Sequence, residues 1–309
     1  MLFPTIVTAQ KKKSPISKLI IGTYTQPGKS EGLYVYEFNS VTGDFAYKAK
    51  AAGIVNPSFL AISNDQKHIY AVNETGRDVP GGVSSFEFDA HSGDLKFLNK
   101  VKSMGDDPCY ISIDKKGKNV FVGNYSGGNL SAFKVQANGS LSDALQVIKH
   151  EGSSINKARQ EKPHVHSTVI SPDQKYLLVA DLGTDKVYSY HIRNRNLQNI
   201  LTDNDPPTIA VKPGSGPRHI LFHPNGKTVY LIHEISGDVS AYHYHKGNLT
   251  SIQTISMIAP DFKGQTGAAD IHISPDGKFL YASNRGHDSI AVFALDRDGA
   301  SLERRDVED

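Results

Sequence analysis

Four polar residues lie at the two ends of segment 216–234, whose sequence is GPRHILFHPNGKTVYLIHE. Arg218 and His219 come near its start, and His233 and Glu234 close it. The residues between them alternate around a central turn, which predicts a β-hairpin. Because this turn lies near the midpoint, Arg218 and Glu234 are predicted to face each other within one residue of register. An arginine beside a glutamate can bind an anion or support acid–base chemistry.

The same hairpin recurs along the chain in five related segments. They are SNDQKHIYAVNE (63–74), DKKGKNVFVGNY (114–125), SPDQKYLLVADL (171–182), HPNGKTVYLIHE (223–234) and SPDGKFLYASNR (274–285). An anchor position four residues before the end of each segment falls at 70, 121, 178, 230 and 281, which gives spacings of 51, 57, 52 and 51 residues. A weaker copy, KLIIGTY, has its anchor at Ile20 and begins at its second strand.

Each copy reads as four short strands, because β-branched and aromatic residues alternate with polar ones between turns rich in Gly, Asp and Asn. This pattern indicates an all-β protein, a β-propeller with four-stranded blades around a central channel. We expect one propeller domain over residues 19–309, after an N-terminal tail or signal remnant at 1–18. About six blades are visible, and the chain is expected to lack its last blade and its closing strand.

Positions that differ between the copies are candidates for function, since shared positions of a repeat are mostly structural. Twelve residues before the anchors (the −12 position) the chain has Ser58, Cys109, His166, Arg218 and Ala269. Four residues after the anchors (the +4 position) it has Glu74, Tyr125, Leu182, Glu234 and Arg285. Both positions fall at the open end of the hairpin, so they are predicted to share one mouth of the channel. The predicted catalytic residues at this mouth are His166, Arg218, Glu234 and Arg285.

Four further side chains are predicted to bind substrate at the same mouth, namely His164, His219, Asp270 and Asn284. His219 and Asp270 directly follow the −12 position. Asn284 lies three residues after its anchor, where the copies mostly carry Asn or Asp, so strand-end capping is the alternative. His164 and His166 share one face of a strand, as a metal pair would, but no carboxylate stands at a diagnostic spacing. We therefore predict neither a metal nor a cofactor.

The composition excludes several classes of function. Lys and Arg number 34 against 32 Asp and Glu, a net charge of +2, which argues against a nucleic-acid partner. The single cysteine, Cys109, excludes an internal disulfide framework and a cysteine-rich zinc site. No apolar run approaches the roughly 18–20 residues that span a bilayer, so we expect no membrane partner.

The first nine residues, MLFPTIVTA, are mostly apolar and end in a small residue, and QKKKS follows them. They resemble the tail of a secretory signal, and a frayed terminus is the equal alternative. We expect a cytoplasmic protein, which would instead be exported to the periplasm if a signal peptide precedes or includes residues 1–10. A monomer or a weak homo-oligomer is the expected assembly.

Three phrases and one glutamate resemble the seven-bladed β-propeller lactonase family. They are PHVHSTVISPD (163–173), GPRHILFHPNGKTVY (216–230), Glu234 and AADIHISPDGKFLYASNR (268–285). The resemblance runs from about Leu19 to Leu295. That family includes the propeller-type 6-phosphogluconolactonases and the carboxy-cis,cis-muconate cyclases. Its seventh blade and closing inner strand would lie beyond Asp309.

The resemblance implies a lactonase site at one end of the channel, and the cyclase branch places its catalytic set on His166, Arg218, Glu234 and Arg285. The implied substrate is a small anionic lactone, first of all 6-phospho-D-glucono-1,5-lactone of the cytoplasmic pentose phosphate pathway. We expect arginines to hold the anionic group and the developing oxyanion. His166 is the favoured general base, since a glutamate beside an arginine should have a lowered pKa.

Two other readings stay open at the level of sequence. The first is a cyclase or lactonase that acts on another carboxylated lactone, which would need no site for a phosphate dianion. The second is a non-catalytic propeller that binds a protein or a glycan, since propellers host many functions.

Overall fold

Six antiparallel β-sheets follow one another in the computed structural model, which describes residues 14–25, 29–76, 78–193, 199–259 and 262–308. No helix occurs among these residues. Blade 1 contains β1 (Ile16–Ile21), β2 (Gly32–Asn39) and β3 (Phe45–Ala52). Blade 2 contains β4 (Leu60–Ile62), β5 (His68–Asn73), β6 (Gly82–Phe88) and β7 (Leu95–Lys102). Blade 3 contains β8 (Pro108–Ile113), β9 (Asn119–Asn124), β10 (Asn129–Lys134) and β11 (Gln146–Lys149).

The remaining three sheets have the same order of strands, each hydrogen-bonded to the next along the chain. Blade 4 contains β12 (Val165–Ile170), β13 (Tyr176–Asp181), β14 (Lys186–Ile192) and β15 (Leu201–Ala210). Blade 5 contains β16 (Pro217–Phe222), β17 (Thr228–His233), β18 (Asp238–His245) and β19 (Asn248–Ser256). Blade 6 contains β20 (Ala268–Ile273), β21 (Phe279–Asn284), β22 (Ser289–Leu295) and β23 (Leu302–Glu308). The prediction of an all-β propeller with six visible blades is confirmed.

The anchor positions of the repeat mark equivalent places in the blades. In blades 2 to 6 the anchor is the third residue of the second strand. Ile20 of β1 pairs with Val35 as the anchor Tyr70 pairs with Ser85, so β1 corresponds to a second strand, as predicted. Residues 1–10, on which the signal prediction depends, lie outside the described residues.

The core consists of five apolar clusters, each between two consecutive blades. Tyr230 and Ile232 of blade 5, for example, pack with Leu280 and Phe293 of blade 6. Both faces of an inner blade are covered in this way, so alternate side chains of a strand are buried on either side. This explains why β13 and β17 are buried along their whole length and carry unbroken apolar stretches, YLLVA in β13 and VYLI in β17.

The anchor tyrosines of blades 2 and 5 also tie neighbouring blades together. The hydroxyl of Tyr70 donates to the carbonyl of Gly139 at 3.0 Å, and the hydroxyl of Tyr230 donates to the carbonyl of Gly299 at 2.6 Å. Each glycine lies in the turn between the last two strands of the next blade, with a φ of 84° and 66° respectively. Equivalent hydrogen bonds therefore fix blade 2 to blade 3 and blade 5 to blade 6.

The first strand of each full blade lies nearest the channel, and in blades 3 to 6 it carries a β-bulge near its start. The register shifts fall between Pro108 and Tyr110, Val165 and Ser167, Pro217 and Ile220, and Ala268 and Ile271. The −12 residues of these blades lie inside the shifts. A bulge interrupts the two-residue alternation and re-aims side chains, so adjacent residues can face one cavity.

Candidate active site

A cavity of about 440 Å³ opens at the rim where the second strands of the blades end. Its walls include the four residues predicted to be catalytic, His166, Arg218, Glu234 and Arg285. Arg218 and Glu234 face each other across the hairpin of blade 5, where the Glu234 amide donates to the carbonyl of Gly216 at 2.7 Å. The four side chains come from blades 4, 5 and 6 and share one cavity.

Glu234 is the meeting point of the positive charges in this cavity. Its side chain is 7% exposed, and its Oε2 lies 2.9 Å from Nε of Arg218 and 3.1 Å from Nη2 of Arg285. Arg159 donates to Oε1 through its Nη2 group. Burial alone would raise the pKa of Glu234, but the three arginines hold that pKa below its usual value. Glu234 is therefore an anion at neutral pH that orients three cations.

Arg218 is held by acceptors on two blades. Besides its bond to Glu234, its Nη1 group donates to the carbonyl of Ala269 at 2.6 Å and to Nε2 of His219 at 3.1 Å. Ala269 lies in the inner strand of blade 6, so the guanidinium bridges blades 5 and 6. The Nη2 group makes no hydrogen bond to the described residues, which leaves it free to donate to a ligand in the cavity.

His219 and Asp270, both predicted to bind substrate, form a chain behind Arg218. Nδ1 of His219 donates to Oδ1 of Asp270 at 2.8 Å, which leaves Nε2 as an acceptor for Arg218. Burial lowers the pKa of His219 to about 4, so the ring is neutral at pH 7. The other Asp270 oxygen accepts from Nε2 of His272 at 2.9 Å. His219 lines the cavity, whereas Asp270 orients His219 from behind.

His166 is a buried histidine without a strong hydrogen bond on either ring nitrogen. Its Nε2 lies 3.7 Å from Oε2 of Glu234, and its Nδ1 lies 3.7 Å from Sγ of Cys109. Burial, and after it the charge of Arg218, lowers the pKa of His166 well below the usual value. The imidazole is thus neutral at pH 7, and Nε2 lies beyond hydrogen-bonding distance of Glu234, which leaves it available to a ligand in the cavity.

Arg285 and Arg159 carry the exposed positive charge of the cavity. Their side chains are 56% and 44% exposed. Nε of Arg285 donates to the carbonyl of Gly267 at 3.1 Å, and Nη2 of Arg159 donates to the hydroxyl of Tyr125 at 3.2 Å. In both guanidinium groups Nη1 has no partner among the described residues. Two fixed cations therefore keep N–H donors for an anionic ligand.

The other two predicted substrate ligands make structural contacts. His164 stacks on Tyr125 with ring centroids 4.4 Å apart, and its nitrogens contact the Tyr125 carbonyl at 3.1 Å and Glu161 at 3.2 Å. Asn284 is buried, and its side-chain oxygen accepts from the amides of Gly267 and Gly286 at 2.9 and 3.0 Å. This is the strand-end capping considered as the alternative for Asn284.

Around the two histidines considered as a metal pair, Glu161 contacts His164 at 3.2 Å, and Glu234 and Cys109 each lie 3.7 Å from a ring nitrogen of His166. Within the described part of the chain, no three His, Cys, Asp or Glu side chains are arranged to hold a metal ion. Cys109 lies in the cavity wall, and burial raises the pKa of its thiol. The thiol is therefore protonated at neutral pH and behaves as a small wall residue.

Arg159 was missed by reasoning on the sequence, because it lies in the connection between β11 and β12 and has no counterpart in the repeat. A signal for it existed. The spacing of 57 residues between the anchors 121 and 178 is the longest of the series, and it contains this connection. Extra residues between two blades fall at a rim of the propeller, where they can reach the mouth of the channel.

Glu74, Ser58 and Tyr24 form a second polar group in the cavity wall, which was also not predicted. The hydroxyls of Tyr24 and Ser58 both donate to Oε2 of Glu74, the former at 2.8 Å. Glu74 and Ser58 hold the +4 and −12 positions of blade 2. Tyr24 holds the +4 position of blade 1, counted from the weaker anchor Ile20. The repeat comparison therefore contained all three positions, but not their mutual contacts.

Comparison with known proteins shows which family this chain resembles. The model of the family described as lactonase, seven-bladed β-propeller, matches residues 18–308. A protein named 6-phosphogluconolactonase from Formosa agariphila is 38% identical over 286 residues, which are 92% of this chain and 80% of the relative. A Bacillus subtilis protein of the same name is 37% identical over 284 residues, which are 91% of this chain and 78% of that protein.

A solved structure agrees with these sequence relatives. The periplasmic gluconolactonase PpgL of Pseudomonas aeruginosa is 37% identical, with a TM-score of 0.91 over 95% of this chain and 83% of its own. No helix able to cross a membrane occurs among the described residues. The resemblance noted in the sequence is thus confirmed, and the chain belongs to the seven-bladed β-propeller lactonase family.

Proposed function

We propose that the protein hydrolyses 6-phospho-D-glucono-1,5-lactone to 6-phosphogluconate. The relatives from Formosa agariphila and Bacillus subtilis, which match more than nine-tenths of this chain, support this substrate by their names. The family supports the reaction, which is the opening of a cyclic ester by water.

The observation that carries the proposal is the convergence of Arg159, Arg218 and Arg285 on the single buried carboxylate of Glu234. One carboxylate neutralises one of three positive charges, so the wall attracts an anion. Each guanidinium also keeps an N–H group without a partner in the described residues. A phosphate dianion accepts several such donors at once and is held by charge and by geometry.

The more exposed pair, Arg159 and Arg285, suits the phosphate, because a flexible and hydrated group enters from the solvent side. The buried Arg218 suits the carbonyl oxygen of the lactone. Its free Nη2 group can stabilise the oxyanion that develops when water attacks, an effect typically worth about 10²–10³-fold in rate for one donor. Its fixed contacts to Ala269 and His219 limit its reorganisation during the reaction.

His166 is the proposed general base. Its Nε2 group is neutral at working pH and lacks a hydrogen bond shorter than 3.5 Å, so it can accept a proton from the attacking water. The imidazolium then donates this proton to the ring oxygen as the carbon–oxygen bond of the lactone breaks. Glu234 stabilises the transient imidazolium across 3.7 Å and orients the arginines, since its two oxygens are already engaged by Arg159, Arg218 and Arg285.

A second candidate substrate is a lactone without phosphate. The Pseudomonas aeruginosa neighbour, described as a gluconolactonase, favours an unphosphorylated aldonolactone for that protein. Another carboxylated lactone would use the same arginines. Comparison of phosphorylated and unphosphorylated substrates separates these candidates, because the phosphate should lower KM only if the arginines bind it.

The test is hydrolysis of freshly generated 6-phospho-D-glucono-1,5-lactone, corrected for its spontaneous rate. We expect saturable turnover, a KM about 10–100-fold higher in Arg285→Ala, and a kcat about 10²–10⁴-fold lower in His166→Asn. Arg305→Ala, which removes an exposed arginine of β23, is the matched control and should behave as wild type. Turnover no faster than background from a folded protein would favour another lactone or a non-catalytic role.

For the compartment and the assembly we keep the cytoplasm and a monomer or weak homo-oligomer as proposals. A phosphorylated sugar lactone supports the cytoplasm, whereas the periplasmic relative from Pseudomonas aeruginosa supports export. Fractionation of the native host followed by activity measurement distinguishes the two compartments, and light scattering on the purified protein gives the assembly.

A further inference from the structure

We propose that Glu74, with Ser58 and Tyr24 behind it, is the subsite that recognises the ring hydroxyls of the substrate. Such a subsite makes the protein selective for polyhydroxylated lactones over lactones that carry only an anionic group. This inference rests on the proposed lactonase function and assigns a role to the wall that faces the arginines.

The carboxylate of Glu74 is half-buried in the cavity wall. Tyr24 and Ser58 both donate to its Oε2 atom, whereas Oε1 receives no hydrogen bond from the described residues. A carboxylate oxygen without a donor in a cavity is an acceptor in need of a partner, and an ionised acceptor binds hydroxyls about twice as strongly as a neutral one. Ring hydroxyls of a sugar lactone are such partners.

The position of Glu74 relative to the arginines orients the substrate. The rings of Phe59 in blade 2 and His219 in blade 5 lie 5.8 Å apart, so the floor of the cavity bridges the channel between these blades. A lactone on this floor has the arginines on one side and Glu74 on the other. The phosphate is attracted to the arginines and repelled by Glu74, which directs the hydroxyl-bearing edge of the ring toward Glu74.

The same arrangement rejects other anionic lactones. A lactone with no hydroxyls would cover Glu74 without a donor for Oε1, which leaves a desolvated carboxylate unpaired. Sites that hydrogen-bond a substrate hydroxyl discriminate strongly against analogues that lack it. Because Glu74 is half-buried and its Oε2 keeps two donors, we expect discrimination smaller than that of a fully enclosed site.

The experiment compares kcat/KM for three lactones that share a six-membered ring. The ratio of glucono-1,5-lactone to δ-valerolactone measures the hydroxyl preference, and the ratio of 6-phospho-D-glucono-1,5-lactone to glucono-1,5-lactone measures the phosphate preference. We expect Glu74→Ala to lower the hydroxyl preference about 10–100-fold and to leave the phosphate preference within about twofold. Arg285→Ala should do the reverse.

Glu74→Gln keeps the shape and one acceptor oxygen, so it should lower the hydroxyl preference by a smaller factor, and it carries the test if Glu74→Ala fails to fold. Tyr24→Phe removes a donor to Oε2 and spares Oε1, so its effect should be smaller still. An unchanged hydroxyl preference in both Glu74 variants would overturn the subsite. A wild-type phosphate preference near one would overturn the phosphorylated substrate alone, and no hydrolysis of any of the three would overturn both.

Discussion

Blades 2 and 5 each place a carboxylate at the end of their equivalent hairpins, but the two carboxylates have opposite electrostatic surroundings. Glu74 in blade 2 accepts from two hydroxyls, those of Ser58 and Tyr24. Glu234 in blade 5 contacts three guanidinium groups, one of which is Arg218. The residue opposite each carboxylate, at the −12 position, explains part of this difference. It is the neutral Ser58 in blade 2 and the cationic Arg218 in blade 5.

The two blades are alike below the mouth. Tyr70 and Tyr230 occupy the same anchor position, are fully buried, and donate to the carbonyl of a glycine in the next blade. The two hairpins therefore share one scaffold, and the chemistry at the end of each hairpin depends on the side chains that it presents to the cavity. A carboxylate opposite an arginine becomes part of an anion site, whereas a carboxylate opposite a serine remains an acceptor for hydroxyls.

The largest expected effect on activity comes from giving the hairpin of blade 5 the polar pair found in blade 2. Arg218→Ser gives blade 5 the Ser–Glu pair of blade 2, removes the buried cation at the oxyanion position and leaves Ala269 and His219 without their donor. We expect kcat/KM for the lactone to fall about 10²–10³-fold. Steady-state kinetics beside Ser58→Ala, which alters the blade 2 pair and leaves the arginines in place, is the measurement. A loss below tenfold in Arg218→Ser would contradict the role of Arg218.

A smaller effect is expected on the pH dependence of the reaction, which should respond to changes around Glu234 but not to changes at Glu74. His166 must be unprotonated, and its pKa lies well below 6.5, so kcat/KM should stay constant down to pH 6.5 and fall only at lower pH. Arg285 contributes to the lowered pKa of both His166 and Glu234. In Arg285→Gln the decline should therefore move to higher pH.

Glu74→Gln is the matched control for this pH profile, because Glu74 lies in blade 2, away from the arginines. In this variant kcat/KM should decline at the same pH as in the wild type. Glucono-1,5-lactone is the substrate of choice, since its rate is free of the ionisation of a phosphate near pH 6. An acid limb centred at or above pH 6.5 in the wild type would rule out His166 as a base with a lowered pKa.

The smallest expected effect tests the shared scaffold. Tyr70→Phe and Tyr230→Phe each remove one hydroxyl and its hydrogen bond to a glycine carbonyl while the ring stays in place. Each should lower the free energy of unfolding by about 1 kcal/mol, with little change in kcat/KM. Denaturant unfolding of the two variants gives the comparison, and a large loss of activity in one of them would mean that the scaffold and the mouth are coupled.

The arrangement of the blades and the cross-strand placement of Arg218 and Glu234 could be predicted from the sequence, because both follow from the period of the repeat. Arg159 could not be placed, since a connection between blades has no partner in the repeat that would fix its position. The bulges that turn both Arg218 and His219 into the cavity are also invisible in an alternating pattern. Nor does a count of positions reveal that Tyr24 and Ser58 both donate to Glu74.

The bulge repeated in the inner strands of blades 3 to 6 affects which side chains at the cavity can be exchanged without loss of stability. The side chains within it stand outside the regular ladder, while Ile111 and Ile220, farther along their inner strands, keep their places in the apolar clusters between blades. Cys109, His166 and Arg218, the −12 residues of blades 3 to 5, line the cavity and belong to none of the apolar clusters, so their substitution exchanges a chemical group at the cavity without opening a gap in the core. One ring of blades can in this way serve different lactones through the replacement of a few rim residues.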